Sequence, residues 1–264
     1  MDAAQLSERL ELARSAAREA GKLTLEYFQR ADLAVERKAD QSPVTAADRG
    51  AEQLLRDRIA AAFPDDAILG EELPDRRGTS GYRWILDPID GTKSFIHGVP
   101  LYGTLVGLEH GLQSVLGVIQ IPPLDECVYA AAGQGAWHVR GGGLPAPARV
   151  SQTQRLADSL FCTSEVANFL RRGAADVYDR LQAAAGLSRT WGDCYGYLLV
   201  ATGRAEVMVD PIMNVWDAAA VQPILLEAGG TFTDWQGTPT IHSGDGIATN
   251  GRVLAEVLKI TRPE

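Results

Sequence analysis

Trp84-Ile85-Leu86-Asp87-Pro88-Ile89-Asp90-Gly91-Thr92 is the stretch of this 264-residue chain that says most about its fold. Its apolar beginning predicts a buried strand, and the proline predicts that regular strand pairing ends there. The glycine permits a tight turn before the threonine. Asp87 and Asp90 can then face one point, and their mutual repulsion favours a cation between them. Taken alone, the stretch is also compatible with an ordinary surface turn.

Other acidic groups stand next to chain-breaking residues elsewhere in the chain. They are Gly70-Glu71-Glu72, Val209-Asp210-Pro211 and Trp216-Asp217. Each has an ordinary explanation as a strand end, a turn or the first turn of a helix, and Thr45 with Asp48 matches a helix capping box. The whole set in one chain favours a metal site. Carboxylates without a histidine or cysteine cluster indicate Mg²⁺ rather than zinc.

Composition narrows the class of protein. Asp and Glu number 34 against 25 Lys and Arg, for a net charge of -9, so the sequence offers no basic surface for nucleic acid or anionic lipid. No apolar run reaches the roughly 18 residues that span a bilayer, and no secretory cleavage site is evident. Three widely spaced cysteines fit a reducing compartment. These features predict a cytoplasmic enzyme, with Cys194 as a nucleophile kept as a minor alternative.

Hydrophobic periodicity outlines the organisation of the chain. Helices are predicted over the first thirty residues and over 45–63, followed by a meandering antiparallel sheet from 67 to 139. A loop is predicted over 140–148, and helices then alternate with strands, including a helix over 216–228. Alternation of this kind predicts sheets covered by helices. We expect one domain over 1–264, with an antiparallel-sheet half over about 1–145 and an α/β half over about 146–264.

The order of these motifs resembles the inositol monophosphatase family of Mg²⁺-dependent, lithium-sensitive phosphatases. The resemblance runs from Lys38 to Trp235 and includes Glu227-Ala228-Gly229-Gly230 near its end. It implies an α/β fold of the layered αβαβα sandwich type and a homodimer. It also implies hydrolysis of a small phosphate monoester, with two or three Mg²⁺ ions per subunit.

The resemblance also implies a ligand set. Glu71, Asp87 and the backbone carbonyl of Ile89 would hold one Mg²⁺. A second ion would lie between Asp87, Asp90 and Asp217, and Glu71 would help to position a third. Two ions of this kind neutralise a phosphate and its leaving oxygen.

Catalytic roles follow from the same resemblance. Thr92, supported by Asp48, would orient the attacking water, and Glu71 would take part in catalysis through its metal. The backbone N–H groups of Gly91 and Thr92 would bind phosphate oxygens if they begin a helix.

Two segments distinguish branches of the family. The continuation Lys93-Ser94-Phe95 and the segment Gly192-Asp193-Cys194-Tyr195-Gly196-Tyr197 resemble the histidinol-phosphate phosphatases. Inositol phosphatases typically continue the first turn as DGTTNF, whereas a lysine after the threonine also occurs in the nucleotide bisphosphatases. The resemblance therefore favours L-histidinol phosphate as the substrate, released as L-histidinol and orthophosphate.

The charge of that substrate supports this interpretation. L-histidinol phosphate carries an ammonium group and an imidazole, which a specific site should meet with carboxylates. Asp193, Asp210 and Asp217 stand where the family places substrate contacts, besides Gly91 and Thr92. Asp193 also suits a helix N-cap, and Asp210 suits a turn acid. An inositol or broad sugar or nucleotide monophosphatase stays open as the alternative, and so does a regulatory dimer that works by binding.

Overall fold

The computed structural model describes residues 3–262 of the chain. The helices are α1 (Ala3–Leu25), α2 (Ala46–Ala62), α3 (Thr92–Ile96), α4 (Val166–Arg171), α5 (Ala175–Ala184), α6 (Asp193–Ala201), α7 (Val215–Ala219), α8 (Val221–Glu227) and α9 (Leu254–Thr261). The strands are β1 (Val35–Arg37), β2 (Pro43–Thr45), β3 (Ala67–Gly70), β4 (Tyr82–Asp90), β5 (Gly103–His110), β6 (Gln113–Ile121), β7 (Glu126–Ala131), β8 (Ala136–Arg140), β9 (Ala146–Pro147), β10 (Leu160–Cys162), β11 (Leu187–Arg189), β12 (Val207–Asp210), β13 (Thr231–Thr233) and β14 (Gly246–Thr249).

Two sheets form the frame of the molecule. The larger has seven strands in chain order from β3 to β9, and its pairs are antiparallel except for the parallel pair β3 and β4. The smaller is mixed, in the order β11-β10-β12-β14-β13. β1 and β2 form a separate antiparallel pair. The predicted antiparallel meander is thus confirmed for most of the larger sheet.

Helices cover both faces of both sheets. Trp84 and Leu86 of β4 pack with α1 and α2 on one face of the larger sheet. Ile85 points the other way, into a middle layer that includes α6, α8 and the inner face of the smaller sheet. The outer face of the smaller sheet, with Phe161 and Val207, packs against α4, α5 and α9. The order is therefore helix, sheet, helix, sheet, helix, which confirms the layered αβαβα sandwich.

Strand alternation directs two acids into the middle of the molecule. Successive side chains of a strand point to opposite faces. Asp87 therefore shares a face with Ile85, which lies in the middle layer. Asp210 likewise shares a face with Met208 of β12, another residue of that layer. The same pattern that buries the core thus places both carboxylates between the sheets.

The strand that carries Asp87 is longer than the sequence predicts. β4 continues to Asp90, although its pairing with β5 is irregular between Asp87 and Asp90. Pro88 has no N–H to give to the ladder, but its carbonyl oxygen accepts from the Thr104 hydroxyl at 2.9 Å. The proline therefore interrupts the ladder without ending the strand.

The helix predicted over 216–228 is divided into α7 and α8 at Ala220. Pro223 cannot donate to the carbonyl of Ala219, and the Ser114 hydroxyl of the larger sheet donates to that oxygen instead, at 2.6 Å. The predicted loop over 140–148 also contains a short strand, β9, which pairs with β8. Within the described residues, none of the helices combines the length and apolar character needed to cross a membrane.

Candidate active site

A cavity of about 440 Å³ opens beside the end of β4 and the start of α3. Residues from both halves of the sequence line it, and most of its charged side chains are acidic. The lining carboxylates belong to Glu71, Asp90, Glu165, Asp193, Asp210 and Asp217. Lys93 is the one cationic side chain among the described residues that line the cavity.

Three of the predicted metal ligands meet at one end of the cavity. Carboxylate oxygens of Asp87, Asp90 and Asp217 lie within 4.8 Å of one another. Asp87 is only 2% exposed, and Asp217 is held in the first turn of α7, where its Oδ2 accepts from the Asn214 backbone N–H at 2.6 Å. The backbone N–H of Cys194 donates to Asp90 Oδ2. β4, α6 and α7 together thus bring the cluster into place.

Burial and repulsion make this cluster suitable for a cation. Burial, with the nearby charges of Glu71, Asp90 and Asp217, raises the pKa of Asp87 well above its usual value. The pKa of Asp90 is raised well above its usual value by burial and by Asp193. Burial also raises the pKa of Asp217 to about 7. A bound divalent ion would remove this penalty, and an all-oxygen set of carboxylates fits Mg²⁺.

Glu71 lies on the same cavity but pairs with a lysine. Lys38 Nζ is 2.7 Å from Glu71 Oε1 and 2.6 Å from Glu72 Oε1. Burial raises the pKa of Glu72 to about 7. Behind the pair, buried Glu52 accepts from the backbone N–H of Glu72 at 2.7 Å and of Leu73 at 3.2 Å. This turn holds Glu71 at the rim of the cluster, where Lys38 balances its charge.

Thr92 and Asp48, which the resemblance assigns to the attacking water, hydrogen-bond to different groups in the structure. The Thr92 hydroxyl donates to the Ile89 carbonyl oxygen at 3.0 Å. Asp48 is buried, and its Oδ2 accepts from the backbone N–H and the hydroxyl of Thr45, both at 2.7 Å. No hydrogen bond between Thr92 and Asp48 occurs in the described part of the chain. The capping box at the start of α2 therefore takes the Asp48 carboxylate, while Thr92 begins α3 directly after Gly91.

The structure brings Asp193 and Asp210, two of the three predicted substrate acids, to the same cavity as Asp217. Asp193 begins α6 with a left-handed φ of +51°, and its carboxylate lies against Gly91, since a Cβ on that glycine would be 2.9 Å from Asp193 Oδ2. Burial, with the charge of Asp210, raises the pKa of Asp193 to about 6. Asp193 therefore lies beside the predicted phosphate-binding turn.

Asp210 has more hydrogen bonds to the protein than an aspartate in an ordinary surface turn would have. Its Oδ1 accepts from the Ser164 backbone N–H at 3.0 Å, and its Oδ2 accepts from the Tyr197 hydroxyl at 2.8 Å. The Ser164 hydroxyl in turn accepts from the Asp193 backbone N–H at 2.9 Å. Ser164 thus links the two acids, a role for which we find no signal in the local sequence.

One further feature of the cavity was not predicted. Lys93 pairs with Glu165, which precedes α4 in the other half of the sequence. Cys194 is buried, and burial raises the pKa of its thiol well above the usual value. A thiol held in that state is a poor nucleophile, so the alternative of cysteine catalysis receives no support.

Known proteins share this architecture and sequence. A histidinol-phosphatase of Chlorobaculum parvum is 47% identical over 249 residues, which cover 94% of this chain and 94% of that protein. A histidinol-phosphatase of Streptomyces coelicolor is 38% identical and covers 94% and 95%. The solved structure of an inositol monophosphatase from Zymomonas mobilis is 32% identical, covers 99% of each chain and has a TM-score of 0.84.

A family profile extends the comparison to almost the whole sequence. The profile of the inositol monophosphatase family matches residues 5–263. This match confirms the family that the sequence motifs predict, and the layered fold agrees with it. The chain therefore belongs to the inositol monophosphatase family of phosphomonoester hydrolases.

Proposed function

We propose that this chain is a Mg²⁺-dependent histidinol-phosphate phosphatase, which hydrolyses L-histidinol phosphate to L-histidinol and orthophosphate. The observation that carries the proposal is that Asp193, an acid outside the three-carboxylate cluster, lies on the same cavity beside Gly91. A cationic alcohol half needs such a carboxylate, whereas inositol does not. The 47% identity to a protein named histidinol-phosphatase supports this choice of substrate.

We assign the metal ligands from the acidic end of the cavity. Glu71, Asp87 and the Ile89 carbonyl would hold one Mg²⁺, and Asp87 with Asp90 and Asp217 a second. The Ile89 oxygen accepts one hydrogen bond from Thr92 and has a second lone pair for a cation. Glu71 would also contribute to a third ion. When bound, Mg²⁺ supplies positive charge to the phosphate and lowers the pKa of a water molecule that it binds.

The remaining groups would bind and orient the reactants. The backbone N–H groups of Gly91 and Thr92 stand at the start of α3 and would donate to phosphate oxygens. The Thr92 hydroxyl oxygen can accept a hydrogen bond from the attacking water while it donates to Ile89. Asp48 would support this arrangement by fixing the start of α2, because its Oδ2 accepts from the backbone N–H and the hydroxyl of the capping residue Thr45.

Recognition of the alcohol would begin with Asp193. Its carboxylate would accept from the substrate ammonium group, a charge-assisted hydrogen bond. Asp217 would contribute to substrate binding from the metal cluster. Asp210 is occupied by Ser164 and Tyr197, so its contribution would be chiefly to hold the wall of the substrate site.

We also infer that the chain is a cytoplasmic homodimer. The free state of Cys127, Cys162 and Cys194 suits a reducing compartment, and the family resemblance supports the dimer. Light scattering of the purified protein tests the oligomeric state.

The proposed substrate is tested by phosphate release with Mg²⁺ from L-histidinol phosphate, inositol 1-phosphate and 3'-phosphoadenosine 5'-phosphate. We expect kcat/KM to favour L-histidinol phosphate about a hundredfold, which is about 2.7 kcal/mol of transition-state binding. A preference for inositol 1-phosphate would contradict the proposed substrate but would leave the proposed metal ligands unaffected. Release from none of the three would favour the regulatory dimer.

A further inference from the structure

We propose, on the basis of the histidinol-phosphate phosphatase function above, that Glu165 determines substrate specificity. Its carboxylate would accept a hydrogen bond from the cationic L-histidinol part of the substrate. In the structure its carboxylate contacts Lys93, and the substrate would take the place of that lysine. Asp193 and Glu165 would then bind the ammonium group and the imidazole together.

Most carboxylates of the cavity already have a role, so few are available to bind the substrate. Of the six acids that line it, Glu71, Asp90 and Asp217 belong to the proposed metal site. Asp210 has both oxygens engaged by protein donors. Asp193 is assigned to the substrate ammonium group. Among the described residues that line the cavity, Glu165 is therefore the one carboxylate without an assigned role.

Glu165 stands close to the other substrate acid. It follows Ser164, whose hydroxyl accepts from the Asp193 backbone N–H at 2.9 Å. Burial chiefly raises the pKa of Asp193, and the negative charge of Glu165 adds a smaller contribution in the same direction. Two carboxylates on one cavity suit a substrate that has two nitrogen donor groups, and they offer little to a neutral polyol.

The contact with Lys93 can be exchanged at low cost. The side chains of Lys93 and Glu165 are 64% and 33% exposed, and ion pairs at such positions contribute little to stability. The second cation near Glu165 is Arg171, at 3.4 Å and 60% exposed. The hydrogen bond from Lys93 lowers the pKa of Glu165, so the carboxylate is ionised at neutral pH and ready for a substrate cation.

The test compares Glu165→Gln with the wild type on two substrates. We expect the ratio of kcat/KM for L-histidinol phosphate to that for inositol 1-phosphate to fall at least tenfold, about 1.4 kcal/mol. Asp176→Asn is the matched control, because it removes an exposed acid paired with Arg180 on α5, outside the cavity. Its ratio should equal that of the wild type. An unchanged ratio in Glu165→Gln would overturn the proposal.

Lys93→Met separates recognition from a merely structural ion pair. This variant removes the same ion pair but keeps the Glu165 carboxylate. The ratio of kcat/KM for L-histidinol phosphate to that for inositol 1-phosphate should therefore stay the same or rise. A ratio that falls equally in Lys93→Met and Glu165→Gln would mean that the pair itself matters, against the proposal.

Inhibition by L-histidinol keeps this test independent of the proposed function. We expect the inhibition constant of L-histidinol against phosphate release from inositol 1-phosphate to rise at least tenfold in Glu165→Gln. An unchanged constant contradicts recognition by Glu165 even where the wild type prefers another phosphate ester. A wild type that lacks the expected preference contradicts the proposed function instead.

Discussion

Asp193 combines an unusual backbone with a proposed contact to the substrate. Its φ of +51° lies in the left-handed region, which asparagine and aspartate tolerate better than most residues. Asp193→Asn therefore removes the charge and retains the backbone. We expect kcat/KM for L-histidinol phosphate to fall about tenfold to a hundredfold, the range of a lost hydrogen bond between charged groups. Steady-state phosphate release measures it.

Inositol 1-phosphate is the control substrate for Asp193→Asn. It lacks an ammonium group, so the loss of kcat/KM should be several times smaller than for L-histidinol phosphate. Equal losses on both substrates would show that Asp193 acts on the phosphate turn or the metals rather than on the amine.

The acidic cluster predicts a pH dependence of metal binding. Asp217 has a pKa of about 7 without a cation, and the pKa values of Asp87 and Asp90 are also raised. Mg²⁺ binds the deprotonated carboxylates and must displace their protons. We expect Mg²⁺ affinity to rise at least about tenfold between pH 6 and 8. Calorimetry in buffers of different ionisation enthalpy measures it.

Proton release provides the internal check on this prediction. Titrations at pH 6 should release protons on binding, whereas titrations at pH 8 should release fewer. Metal binding without proton release at pH 6 would contradict a cluster that holds protons in place of the ion.

At the scale of elements, the position of α7 depends on a close approach to the larger sheet. A Cβ on Gly117 of β6 would lie 1.9 Å from the carbonyl oxygen of Ala220, directly after α7. Gly117→Ala should therefore lower the free energy of unfolding by about 1–3 kcal/mol, as overpacked cores do. It should also weaken Mg²⁺ binding, because α7 carries Asp217. Urea denaturation and calorimetry measure the two effects.

Gly50→Ala is the control for that substitution. Gly50 lies inside α2, and the nearest atom to a Cβ there is a Leu23 methyl carbon at 3.4 Å. Alanine favours a helix interior over glycine by up to about 1 kcal/mol. This variant should therefore be as stable as the wild type or more so, and a loss like that of Gly117→Ala would contradict the packing explanation.

At the scale of the whole molecule, buried acids make stability depend on pH and metal. Raised pKa values mean that the folded state holds protons which the unfolded chain has lost, so stability falls as pH rises through about 4 to 7. With EDTA we expect the Tm to fall on the order of 5 °C between pH 5 and 8. Mg²⁺ should restore more of the Tm at pH 8 than at pH 5. A Tm that does not change with pH in the presence of EDTA would contradict this prediction.

We propose that the two halves of the chain unfold as one domain. The middle layer joins Ile119 and Val128 of the larger sheet to Ile224 and Phe232 of the C-terminal half in one buried cluster. Calorimetry should therefore show a single cooperative transition with equal calorimetric and van't Hoff enthalpies. Two resolved transitions would indicate separate domains.

Most of the architecture follows from patterns that are local in the sequence. The apolar run Trp84-Ile85-Leu86 predicts the buried strand β4, and the apolar spacing with the capping residue Thr45 predicts α2. The break between α7 and α8 also has a local cause, because Pro223 cannot donate to the carbonyl of Ala219. The distant contribution is the Ser114 hydroxyl, which donates to that freed carbonyl oxygen.

Motifs of a few residues were enough to recognise the family, and that resemblance implied the layered fold and the candidate metal ligands. The meeting of the carboxylates is itself a product of tertiary packing. Asp217 reaches Asp87 and Asp90 because α7 packs on the larger sheet. The pair of Lys93 with Glu165, from different halves of the chain, likewise exists only after folding. Contacts between such distant residues depend on how the layers pack, which no local pattern of the sequence encodes.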